Sequence, residues 1–119
     1  MPAKPLIAIV EDDESLRPAL IGLVRSMGYD GEGYASAEAF LQDDAGTRAN
    51  CVVSDFQLAG VDGLDLAAML RGIVPVILVT ARTERSIDER AAANDVLCLL
   101  RKPFEADDLA GCIRRALDK

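Results

Sequence analysis

The chain contains no histidine. That excludes Ser-His-Asp and Cys-His catalysis, together with every metal site built on imidazole. Cysteines are few and odd in number: Cys51, Cys98 and Cys112, with no C-x-x-C pair among them. They read as small buried hydrophobes in a reducing compartment. No GxGxxG or GxxxxGK(S/T) loop is present, which leaves dinucleotide and P-loop sites without support. Apolar runs are short, and none reaches the length of a membrane span. The start, MPAKPLIAIVEDD, has one lysine and a short apolar run that ends in acids, unlike a secretory signal. Positive charge is also scarce, with 13 basic residues against 20 acidic ones and a net charge of -7. That balance disfavours nucleic acid or an anionic membrane as a direct partner. A cytoplasmic protein is expected.

What is present is a regular alternation. A length of 119 residues, half of them apolar, suits one globular domain over 1–119 with no output domain attached. Four apolar runs recur: LIAIV (6–10), CVVS (51–54), VPVILVT (74–80) and VLCLL (96–100). They are rich in Val, Ile and Leu and do not alternate with polar residues, the pattern of strands buried on both faces of a parallel sheet. YDGEGYAS (29–36) is a weaker strand, and its glycines and alternating polarity suggest an edge. Helical spacing fills the gaps. Leu16, Leu20, Leu23, Val24 and Met27 recur at three and four residues, with Gly28 as a stop and Pro18 tolerable in the first turn. Further helices fit Ala37–Gln42, Leu64–Arg71, Glu84–Ala93 and the closing EADDLAGCIRRALDK. Right-handed crossovers then favour an open α/β sheet with helices on both faces.

The unusual polar residues all fall at the carboxyl ends of those strands. Glu11, Asp12 and Asp13 follow the first, Asp55 closes the third, Thr80 closes the fourth, and Lys102 comes just after the fifth. Open α/β sheets bind ligands at that edge. Two carboxylates about 5 Å apart repel by roughly 3 kcal/mol at an effective dielectric of ~20. One ammonium does not offset several of them, whereas a hard divalent cation does, and all-oxygen donors point to Mg²⁺. Such a site draws in a phosphoryl group, with Thr80 and Lys102 on its oxygens and Asp55 as nucleophile. Singly, each residue has a plainer reading: Asp13 a helix N-cap, Asp55 an Asx-turn residue, Thr80 a turn hydroxyl, Lys102 a solvated charge. Their convergence at four strand ends favours the site.

The set VEDD (10–13), VVSD (52–55), LVTA (78–81) and KPF (102–104) resembles the receiver domain of two-component response regulators over nearly the whole chain. The resemblance implies a flavodoxin-like (βα)5 fold with sheet order 2-1-3-4-5. It implies that Asp55 accepts the phosphoryl group and that Mg²⁺ is held by Asp12, by Glu11 mainly through water, by Asp55 and by the backbone carbonyl of Gln57. Thr80, with Ala81 beside it, matches the switch and phosphoryl-binding positions, and Lys102 before a cis Pro103 matches the family's lysine. The implied partner is a histidine kinase or phosphotransfer protein, with a homodimer or output partner docking on the fourth helix, fifth strand and fifth helix. Three departures stand out. Glu11 replaces the commoner Asp, Leu58-Ala59 stands where Met-Pro is frequent, and Leu99 occupies the position of the switch aromatic. YASAEAFL (34–41) also resembles receivers joined to helix-turn-helix output domains, although Ser36 reads equally as a helix cap.

Two other functions compete. A receiver-like interaction module that signals without phosphorylation would be expected to lose part of the set Glu11, Asp12, Asp55, Thr80 and Lys102, all of which are here. A hydrolase with an aspartyl-phosphate intermediate would carry a second acid two residues after the nucleophile, where this chain has Gln57.

Overall fold

The computed structural model describes residues 4–43 and 48–118. Among the described residues five strands alternate with five helices: β1 (Leu6–Val10), α1 (Leu16–Ser26), β2 (Asp30–Tyr34), α2 (Ala37–Gln42), β3 (Cys51–Asp55), α3 (Gly63–Leu70), β4 (Val76–Thr80), α4 (Arg85–Ala93), β5 (Cys98–Arg101) and α5 (Ala106–Leu117). All strand pairs are parallel and the sheet order is β2-β1-β3-β4-β5. The glycine-rich strand does lie at an edge.

Unbroken apolar runs become central strands because both sheet faces are covered. One face packs Ala8, Val10, Val52 and Leu78 against α2, α3 and α4 through Phe40, Leu66 and Ile87. The other packs Ile7, Ile9, Val53 and Ile77 against α1 and α5 through Val24, Leu109 and Ile113. All three cysteines are buried on this second face. Full burial of one such aliphatic side chain is worth about 1.5–3 kcal/mol. No helix among the described residues is long and apolar enough to cross a membrane.

Element ends differ from the sequence pattern where backbone groups are used elsewhere. Val74 and Pro75 precede β4 instead of opening it; proline has no N–H for the ladder, and its carbonyl accepts from the Val52 N–H at 3.0 Å. β5 begins at Cys98 because Val96 still donates to the Ala91 carbonyl, closing α4 around Asp95 with φ 56°. Gly28, with φ 97°, ends α1 as expected. Ser36 caps α2 by accepting from the Ala39 N–H at 3.0 Å. Asp13 caps α1 in substance: its side chain accepts from the N–H groups of Ser15 (2.8 Å) and Leu16 (3.0 Å).

Candidate functional site

The parallel register delivers four strand ends to one place. Val10 lies opposite Ser54, Asp55 opposite Val79, and Thr80 opposite Arg101, so the residues that follow emerge side by side. Carboxylate oxygens of Glu11, Asp12 and Asp55 come within 4.8 Å of one another. The Lys102 ammonium lies 3.4 Å from Asp55 Oδ1 and 3.6 Å from Glu11 Oε1. Thr80 is buried beside them on β4, and the Lys102–Pro103 peptide bond is cis.

The backbone around Asp55 is fixed from two sides. Phe56 donates to the Val79 carbonyl at 2.8 Å and accepts from the Gly63 N–H at 3.0 Å. A side chain at position 63 would run into the Asp55 carbonyl, so only glycine lets α3 start this close to the strand end. Asp62 and Asp65 form a capping box there. The intervening loop is tied to α2, since the Glu38 carboxylate accepts from the Val61 N–H at 3.0 Å.

Glu11 is 2 % exposed. Burial raises its pKa above the ordinary carboxylate value, against a hydrogen bond from the Asp13 N–H at 3.2 Å, and the Asp55 charge raises it further. Burial likewise raises that of Asp55, with Lys102 pulling it back down and Asp12 pushing it up. One ammonium thus faces three converging carboxylates, two of them partly or wholly withdrawn from water. The donors are all oxygen, and the shared space suits a hard cation.

Other residues named from the sequence lie around this cluster. Gln57 and Ala81 are exposed on the loops that leave β3 and β4. The Thr80 Oγ1 accepts from the Arg82 N–H at 3.0 Å and so faces its own loop. Leu99 is partly buried and packs against the core cluster that includes Leu78 and Ile87. Asp13 caps a helix and lies outside the acidic cluster. Sequence reading missed Glu38, Gly63 and Arg17, whose guanidinium donates to the Glu11 carbonyl at 2.9 Å. The Asp62-Gly63 step before an apolar run was a usable turn signal for Gly63; the contacts of Glu38 and Arg17 join different elements and leave no local trace.

Residues 7–114 match the family model described as the response regulator receiver domain. The chain belongs to this family. The receiver domain is 32% identical over 115 residues to the response regulator protein TmoT of Ectopseudomonas mendocina, covering 94% of this chain and 52% of that protein. It superposes on a response regulator receiver protein from Burkholderia phymatum with a TM-score of 0.85 and 34% identity, over 97% of this chain and 96% of the other. The Vibrio cholerae chemotaxis protein CheY4 shares the fold, with a TM-score of 0.87 at 22% identity over 97% of this chain and all of that one. The chain spans about half the length of the curated relatives it matches. It is the receiver domain of a two-component response regulator and not a classical enzyme.

Proposed function

We propose that this receiver domain accepts a phosphoryl group on the Asp55 carboxylate from the phosphorylated histidine of a kinase or phosphotransfer partner, in a Mg²⁺-dependent reaction, and changes conformation in response. The observation that carries the proposal is the convergence of Glu11, Asp12 and Asp55 within 4.8 Å, with Lys102 reaching Asp55. The donor histidine belongs to the partner, since this chain has none.

In the transfer the N–P bond of the donor breaks and an Asp55 Oδ–P bond forms, leaving the donor imidazole to take up a proton. Asp55 must be ionised to attack. Burial works against that, and the Lys102 ammonium at 3.4 Å offsets part of its effect. The cation, when bound, supplies positive charge to the phosphoryl oxygens. Asp12 and Asp55, the Gln57 carbonyl and, mainly through water, Glu11 would hold it; the longer glutamate suits an indirect contact. Lys102 and the Ala81 backbone N–H bind phosphoryl oxygens, and Thr80 is the switch hydroxyl, which must leave the Arg82 N–H to reach them. On this reading the domain works in the cytoplasm, and its docking face for a second copy or an output partner is α4–β5–α5.

Incubation with acetyl phosphate and Mg²⁺, followed by intact-mass spectrometry, tests the proposal. One added phosphoryl group is expected, none in excess EDTA. Labelling that persists in EDTA would overturn the metal requirement.

A further inference from the structure

Arg101 is the last residue of β5 and lies opposite Thr80 in the ladder. Its guanidinium makes three contacts across the sheet edge. Nε donates to the Arg82 carbonyl at 2.9 Å, while Nη1 and Nη2 grip the two oxygens of Asp88 at 3.1 and 2.9 Å. Asp88 sits in the first turn of α4. The same Arg82 gives its N–H to the Thr80 hydroxyl at 3.0 Å. One residue of the loop is therefore held at both ends, by Thr80 through its N–H and by Arg101 through its carbonyl. Leu99, the position at which the family carries an aromatic, offers no polar group to this network.

We propose that Arg101 is a positioning residue that latches the loop after Thr80 to α4, so that reorientation of the Thr80 hydroxyl and movement of the first turn of α4 are one event. A forked, planar donor suits this role because it fixes direction as well as charge, which a point-charged ammonium does not. An exposed ion pair alone contributes little, and the shared carbonyl contact makes this one a three-way tie. The inference rests on the reading of Thr80 as the hydroxyl that approaches the phosphoryl group. When it does so, it releases the Arg82 N–H, and the displacement reaches Asp88 through the guanidinium.

Amide hydrogen exchange on the whole chain tests this in two arms. In the resting arm, without any phosphoryl mimic, Arg101→Ala should speed exchange at Arg82 and over the first turn of α4 by about tenfold, with β3 and β4 unchanged. Arg101→Lys should restore less than half of that protection, because it keeps the charge and loses the fork. In the second arm, Mg²⁺ and beryllofluoride should alter exchange at residues 80–82 in both wild type and Arg101→Ala. The accompanying change over 85–93 should fall below half of its wild-type size in Arg101→Ala and in Asp88→Ala. Unchanged resting exchange in Arg101→Ala, or a full α4 response in that variant, would overturn the latch. A wild type that ignores beryllofluoride would count against Asp55 as the acceptor, and the resting arm would then decide the role of Arg101.

Discussion

At the amino ends of β4 and β5 the sheet borders a cleft of about 680 Å³, lined by Ala67, Ile73, Val74, Pro75 and Leu97 among others. At the carboxyl ends of the same sheet sits the far tighter cluster of Glu11, Asp12 and Asp55. The two regions differ in how they treat charge. In the cleft, Arg71 and Asp95 pair at 2.7 Å with both side chains more than half exposed, so water screens what the pair does not neutralise. In the cluster, Glu11 is almost wholly buried and Asp55 is largely so, and burial raises the pKa of each. Volume alone would have pointed to the wrong end. Unbalanced charge held out of water is the better marker, because it costs stability and such groups cluster where a ligand or a reaction uses them.

That contrast is easiest to break with a carboxylate at each end. Asp12→Ala should reduce phosphoryl labelling by about a hundredfold with the fold intact, since it removes a proposed metal ligand and a repelling charge. Asp95→Ala should leave labelling within about twofold. Equal losses in mass-spectrometric labelling would erase the distinction between the two ends.

Hydrolysis of the acyl phosphate should respond next. Gln57 and Arg82 are exposed on loops flanking Asp55 and Thr80, with Arg82 paired to Glu84 at 2.9 Å. Replacing either by alanine should change the decay rate several-fold, about 1 kcal/mol in the barrier, without preventing phosphorylation. Identical decay in both variants and wild type would make these positions bystanders.

Thermal stability in the absence of Mg²⁺ sharpens the comparison at a smaller scale. A carboxyl whose pKa is raised in the folded state binds its proton more tightly there than in the unfolded chain. Stability from this source is present below the unfolded value, 3.8 for aspartate, and is lost as pH rises through the raised folded value. Asp55→Asn should therefore raise Tm at pH 7 by a few degrees, about 3–6 °C for each kcal/mol relieved, and the gain should shrink toward pH 4. A flat difference across pH for Asp55→Asn would contradict the assigned cause.

The smallest effect concerns Leu99. It is already partly buried against the core cluster that includes Leu78 and Ile87, so a change of state gives this small side chain only a modest further area to bury. A side chain that favours neither state cannot shift their populations. Beryllofluoride should therefore perturb NMR shifts over 81–93 more than over 96–101, and Leu99→Tyr should increase the response of β5. Large wild-type changes centred on 96–101, unaltered by the tyrosine, would place the switch in β5 without any aromatic.

The sheet was legible because burial on both faces writes an unbroken apolar run, as in LIAIV, and the edge strand because DGEGY does not. Strand-end residues such as Asp55 and Thr80 were legible for the same reason: a polar group ending an apolar run is conspicuous. Boundaries were blurred where a residue keeps its apolar character but spends its hydrogen bonds elsewhere, as Val74 and Val96 do. Arg101, Glu38 and Arg17 looked like ordinary surface charges. The partners of Arg101 and Glu38 lie 13 to 23 residues away, and that of Arg17 is a backbone carbonyl on the loop after β1; no side-chain pattern encodes such contacts.

Asp55 is the residue proposed to take the phosphoryl group. Labelling with acetyl phosphate and Mg²⁺, borohydride reduction of the acyl phosphate to homoserine, and peptide sequencing by mass spectrometry would locate it directly. Homoserine at position 55 alone, and no reduction product in Asp55→Asn, is the predicted result. Homoserine at position 12 or 13, or a label retained in Asp55→Asn, would contradict it.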